Sequence, residues 1–247
     1  MSTEILLIVL VGFLAQLVDG ALGMAFGLIS STALMTMGIP PAHASAIVHT
    51  AEIATTAASA GSHVWFRNVD WHLLRRLALT GTAGGILGAL IISHVDGKAL
   101  QPFVAAYLLV MGLFVLMRAF RMAPAEDAQP AYAPPLGLIG GFLDAVGGGG
   151  WGPIVTSTLI GSGHAPRRII GTVNTAEFFV TCAIAAAFFS QLGSHHLGHV
   201  LALVAGGLMA APIAGYAAKW VPPRALLVAV GLTVSFLALL QIWRAFA

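Results

Sequence analysis

Of 247 residues, 58% are hydrophobic and only 8% carry a charge, whereas a soluble domain holds about 25% charged residues. An aqueous globule is excluded, and the chain reads as an integral membrane protein. Its net charge of +2, spread through short loops, gives nucleic acid no basic surface to bind, and its single cysteine, Cys182, forbids an internal disulfide.

At the N-terminus Glu4 precedes the apolar run where a signal peptide has a basic region, and no small-residue cleavage site follows, so this segment is expected to be retained. Residues 5–38 contain one formal charge, Asp19, which with Gly20 splits the run into pieces of 14 and 18 residues. A single helix of that whole length would measure about 51 Å and overshoot the hydrocarbon, so two half-helices broken at Asp19-Gly20 are expected. Pro40 and Pro41 end the run, and a span over 42–62 follows with His49 and Glu52 inside it. The loop from His63 to Leu74 carries Trp65, Arg67, Asp70 and Trp71, as a membrane interface does. Further spans are read over 75–94, where glycines permit close helix approach, and over 99–119.

Residues 121–135, rich in proline and alanine, read as a linker, and the pattern then repeats: half-helices over 136–146 and 150–162, spans over 167–189, 198–218 and 223–243. The two copies share matched residues. Gly12-Phe13-Leu14 matches Gly141-Phe142-Leu143 at an offset of 129, Gly20 falls on Gly149 and Gly23 on Gly152; beyond a gap, Thr50-Ala51-Glu52 matches Thr175-Ala176-Glu177 at an offset of 125. In this register Asp19 falls on Gly148 and Asp144 on Ala15, so the two aspartates are not equivalent. The chain is thus a tandem duplication, a first repeat over 1–120 and a second over 136–247. The expected fold is an all-α polytopic membrane protein of two inverted-topology repeats, each a broken helical hairpin plus three spans. Charge bias supports the inversion: with the Arg67 loop inside, nine Lys and Arg residues face the cytoplasm against two, Lys98 and Arg244, whereas a first element that crosses once divides them six against five. Both termini are then expected outside.

The centre of this pattern is Gly140 to Pro153, where Gly147 to Gly150 run consecutively. Each glycine weakens a helix by about 1 kcal/mol relative to alanine. The backbone should open there, and in a bilayer an open backbone is tolerated only where it lines a protein-walled cavity. Short glycine-broken segments at matching places in two repeats point to a secondary transporter. Free N–H groups and positive helix ends at such a break favour a small anionic ligand, with Asp19, Gly20, Gly148, Gly149, Gly150 and Trp151 in the candidate binding set; the plainer reading is that the glycines serve packing.

Glu52 and Glu177 lie within apolar spans at matched places, each three residues after a polar partner, His49 and Asn174. Ionisable groups at such depth are costly and functional by default, so they read as proton-coupling groups or as carboxyls that hold the opened backbone. His49 and Asn174, with Thr50 and Thr175 beside them, are candidate donors to an oxyanion, the alternative being packed core residues. Asp19 and Asp144 read as helix caps, Gln16 as a weaker lining candidate, and Arg167-Arg168 as topology determinants or an anion-attracting mouth. His195, His196 and His199 lie in a loop without carboxylate or cysteine nearby, which reads as a solvated loop rather than a metal site. No hydrolase or ATPase motif is present, so no enzyme, cofactor or metal is expected.

The stretches GFLAQLVDGALGMAFG, GIPPAHASAIVHTAEI, GGFLDAVGGGGWGP and IIGTVNTAEFFVT resemble the TauE/SafE sulfite exporter family of bacterial membrane permeases over essentially the whole chain. The resemblance implies a multi-pass protein of the bacterial inner membrane that moves sulfite or small organosulfonates, chiefly outward and without ATP hydrolysis. It places substrate contacts at Asp19 to Gly23, His49 to Glu52, Gly147 to Gly152 and Asn174 to Glu177. The expected partners are a small anionic substrate (sulfite, sulfonate or a related oxyanion) and the lipid bilayer, with no nucleic acid; a homodimer is one alternative, since the sequence does not give the oligomeric state. The competing classes are a passive anion channel and a non-transporting membrane scaffold.

Overall fold

The computed structural model describes residues 3–120, 131–162, 166–193, 196–217 and 222–246. The described residues form helices α1 (Thr3–Leu22), α2 (Phe26–Thr36), α3 (Pro41–Trp65), α4 (Trp71–Ser93), α5 (Gly97–Arg118), α6 (Ala133–Gly147), α7 (Ser157–Gly161), α8 (Pro166–Leu192), α9 (Leu197–Ala217) and α10 (Pro223–Phe246), with a π-helical turn at Gly152–Thr156 leading into α7. Among them no strand is present. Five helices, α1, α4, α5, α8 and α10, are long and apolar enough to cross a membrane. Most of the linker, with Arg121, Glu126 and Asp127, lies outside the described residues, as do His195 and Lys219.

Two expectations need correction. The first break falls at Gly23 to Ala25, not at Asp19-Gly20: α1 continues through Gly20 to Leu22, for 20 residues rather than 14. A lone glycine costs a helix about 1 kcal/mol, which packing absorbs, whereas Gly23 takes a positive φ of 67° that a helix cannot accommodate. Helix α6 begins at Ala133, inside the stretch read as linker, because proline in a first turn lacks only an N–H that no helix bond needs.

Contacts between turns sort the helix ends into two groups. At one end Glu4 meets His199 at 3.0 Å, the His43 and His196 rings lie 4.9 Å apart, Arg244 donates to Thr36 O, and Gly97 packs on Pro40. At the other, the Asp70 amide donates to Thr172, Arg76 donates to Ala131 O, and Arg224 lies over the Phe120 ring. Helices α1 and α3 therefore start at the same end, and the α1–α2 pair returns to the side from which it came.

Helix directions follow from the same contacts. His49, Glu52 and Ser59 of α3 meet Phe188, Thr181 and Asn174 of α8 in descending order, so these two helices, which occupy the same place in their copies, run antiparallel. Gly112 and Leu116 of α5 meet Ser235 and Gly231 of α10, again antiparallel. By contrast α1 lies along α9, and α6 along α4, at backbone contact: a Cβ on Gly206 would strike Val9 O and one on Gly84 would strike Leu138 O.

Overpacking of this kind costs about 1–3 kcal/mol. Gly84→Val and Gly206→Val are each expected to lower the apparent melting temperature in detergent by roughly 5 °C, while Gly61→Val, where a Cβ meets open space, leaves it unchanged; differential scanning fluorimetry of the purified variants checks this.

Candidate functional site

The two breaks are built by one device. Asp19 accepts the Gly23 amide on its carbonyl at 2.6 Å and the Phe26 amide on its carboxylate at 3.2 Å. Asp144 accepts the Gly148 amide on its carbonyl at 2.7 Å, and on Oδ1 the amides of Gly150 at 2.7 Å and Trp151 at 3.0 Å. In both, a left-handed glycine with φ of 67° follows four residues after the aspartate, and the carboxylate spans the break to the residue seven positions on. The first break adds Ala25 at φ 102°, a strained conformation for a residue with a Cβ.

This geometry corrects the register read from the sequence. Asp19 with Asp144, Gly23 with Gly148 and Phe26 with Trp151 all stand at an offset of 125, the same as Glu52 with Glu177, so no gap separates the copies and the aspartates are equivalent. The matched tripeptide at 129 misled because it follows side-chain identity, whereas the break is fixed by a carboxylate and a positive φ.

The breaks cross at backbone distance. A Cβ on Gly152 would lie 2.8 Å from Met24 Cβ, and one on Gly27 would lie 2.7 Å from Gly148 O and 2.9 Å from Gly149 Cα. Met24 and Gly149 are counterparts, as are Gly27 and Gly152, so the crossing maps onto itself when the copies are exchanged. With Phe26 bonded to Asp19 and Ile29 to Ala25 O, the amides of Gly27, Leu28 and Gly149 have no acceptor among the described residues.

Beside the crossing, His49 is fully buried and links α3 to the second break. Its Nε2 lies 3.1 Å from Asp144 Oδ2; its Nδ1 lies 2.8 Å from Ser45 O and 3.2 Å from Ser45 Oγ, whose own hydroxyl donates to Ala145 O. A carbonyl only accepts, so Nδ1 carries a proton, and a second proton is shared between Nε2 and Asp144. Whichever atom holds it, the pair is electrically neutral overall. Glu52, also buried, accepts from Thr181 at 3.2 Å, and Oε1 lies 3.0 Å from where a Gly27 Cβ would stand. Glu177 is half-buried with no hydrogen bond to the described residues; the charges it faces are Glu52, Asp19 and Asp144.

The other expected residues divide. Gly148, Gly149 and Gly150 form the second break. Trp151 is fully buried, its indole N–H given to Val173 O at 3.2 Å and its ring set against Gly81 and Gly140, so it anchors the break. Asn174 donates to Ser59 at 3.2 Å and leaves Oδ1 without a partner among the described residues, and Thr175 is buried with its hydroxyl on Gly171 O. Gly20 lies exposed within α1, and Gln16 is buried with no partner for Oε1 among the described residues. Thr50 faces away from the crossing into a cavity of about 90 Å³ among α3, α8 and α9, which His43 and His196 also line. The side chain of Arg167 is outside the described residues, and no group of His, Cys, Asp and Glu among the described residues can hold a metal. Sequence reasoning missed Ser45, Thr181 and Tyr107. The first two stand one helical turn from His49 and Glu177 and were within reach of the helical period; nothing in the sequence marks Tyr107, whose ring closes over Gly147 and Gly150.

Removing one member of a buried ion pair costs about 3–5 kcal/mol. Asp144→Ala, which strands two amides and His49, is expected to lower the melting temperature in detergent well below that of Asp19→Ala, which releases one amide at a half-buried site; equal shifts would refute the stronger role given to Asp144.

A family model described as Sulfite exporter TauE/SafE matches residues 8–240. The chain is 41% identical over 237 residues to the "Probable membrane transporter protein YtnM" of Bacillus subtilis (strain 168), an alignment that spans 92% of this chain and 79% of that protein. No solved structure matches the chain.

Proposed function

We propose, from the premise that this chain belongs to the TauE/SafE sulfite exporter family, that it is a secondary transporter exporting sulfite or a related small sulfur oxyanion across the bacterial inner membrane. The family makes it a multi-pass membrane transporter; the substrate, the site and the coupling are our reading. The observation that carries it is the crossing of two helix breaks with uncommitted amides at Gly27, Leu28 and Gly149, flanked by buried ionisable groups. Amides at helix N-termini bind oxyanions through hydrogen bonds and the helix dipole together.

Antiparallel packing of α3 on α8 and of α5 on α10 supports inverted repeats, since equivalent helices of parallel copies would point the same way. Arg67, Arg75, Arg76, Arg118, Arg168 and Arg224 belong to the end formed by the α3–α4 turn and the starts of α8 and α10, while Lys98 and Arg244 belong to the other. That bias supports a cytoplasmic position for the first end and outside termini.

Charge at the crossing supports proton coupling. His49 and Asp144 neutralise each other, which leaves Asp19, Glu52 and Glu177 facing an arriving anion. At an effective dielectric of about 20, two like charges about 6 Å apart repel by about 3 kcal/mol, so the anion enters with Glu52 and Glu177 protonated. The inside-negative potential drives each negative charge outward by about 2.3 kcal/mol per 100 mV, which suffices for export, and the carboxyls set its pH dependence.

In proteoliposomes, labelled sulfite flux is expected to saturate, to outpace sulfate and sulfoacetate, and to respond to a pH gradient; Glu52→Gln and Glu177→Gln are each expected to flatten that response. A pH profile unchanged in both variants removes the proton role, and flux that rises without saturation identifies a channel.

A further inference from the structure

The second break carries a side-chain donor that the chain itself does not use. Tyr107 of α5 lies against two of its glycines: a Cβ on Gly147 would strike the tyrosine ring, and one on Gly150 would strike the hydroxyl oxygen. The side chain therefore runs along the opened backbone from Gly147 to Gly150, past the stretch where Gly27 crosses Gly148 and Gly149. Its hydroxyl is buried and has no hydrogen-bond partner among the described residues. A buried tyrosine hydroxyl ordinarily finds a partner, because one without any gives up its hydration for nothing in return. The carboxylate it faces is Asp144, and both oxygens of that group are taken, Oδ1 by the amides of Gly150 and Trp151 and Oδ2 by His49.

Packing does not call for the oxygen, since a phenylalanine ring would cover the same glycines. Nor does the duplicated scaffold: the offset of 125 puts Leu232 at the matching place on α10, 54% exposed and without a donor. We propose that Tyr107 is a substrate-contacting residue whose hydroxyl donates to the transported anion, beside the uncommitted amide of Gly149. The inference rests on the oxyanion reading of the crossing. A phenol suits this place chemically, because it gives an oxyanion a directed hydrogen bond without bringing a positive charge that Asp19, Glu52 or Glu177 would capture. A head group with three oxygens offers separate acceptors to the amides and to the phenol.

The test compares the full-length wild type with Tyr107→Phe and with Tyr132→Phe, a control at a 38% exposed tyrosine at the start of α6. Melting temperature in detergent is measured over a range of sulfite concentrations, and labelled sulfite flux is measured in proteoliposomes. Without sulfite, Tyr107→Phe is expected to melt no lower than the wild type, since no hydrogen bond within the protein is lost. Its apparent Kd from sulfite-induced stabilisation and its KM for flux are expected to rise at least about ten-fold, the loss of one hydrogen bond to an anion. Tyr132→Phe leaves all three quantities unchanged. Wild-type Kd and KM in Tyr107→Phe overturn the proposal, whether or not the unliganded protein melts lower, and leave the oxyanion reading intact. A wild type that sulfite neither stabilises nor saturates overturns the oxyanion reading and the proposal with it.

Discussion

An opened peptide backbone inside hydrocarbon is the constraint that organises this molecule. Each unsatisfied amide or carbonyl there costs several kcal/mol, and the chain interrupts its helices twice. It meets the cost by placing a carboxylate four residues before the left-handed glycine of each break, where it reaches over the gap and takes the amides of the next segment. The breaks then lie against each other, so that what remains uncommitted faces protein rather than lipid.

From that shared device the copies diverge. The second break is deeply buried, its carboxylate held by two amides and by His49, with Trp151 wedged behind it. The first has one amide on its carboxylate, a strained alanine, and Asn174 where its twin has histidine, bonded to Ser59 rather than to the break. An imidazole can exchange a proton with a neighbouring carboxyl and a carboxamide cannot. The copies share a scaffold but differ in the chemistry their centres can perform.

Composition, apolar run lengths and glycine runs were enough to read an all-helical membrane protein and the place of the second break, because bilayer thickness and helix propensity act locally. Glu52 and Glu177 were legible as isolated charges in apolar spans. The register was not: Gly12-Phe13-Leu14 resembles Gly141-Phe142-Leu143 more than it does its true counterpart, and the device that fixes the alignment depends on φ at Gly23 and Gly148. Partnerships such as His49 with Asp144, 95 residues apart, are invisible to any local pattern. Thr50 and Trp151 were singled out by their neighbours in sequence, and the helix rotation turns one to a peripheral cavity and the other into the core.

Glycine-mediated contact between main chains has a mechanical corollary. Helices pressed together through side chains can slip by changing rotamers, but α4 against α6 and α1 against α9 meet carbonyl to α-carbon, with no layer in between to shear. Such a pair resists sliding as a unit. The seam between α3 and α8 is made instead through side chains, Thr181, Asn174 and Phe188, whose rotamers can change without main-chain collision.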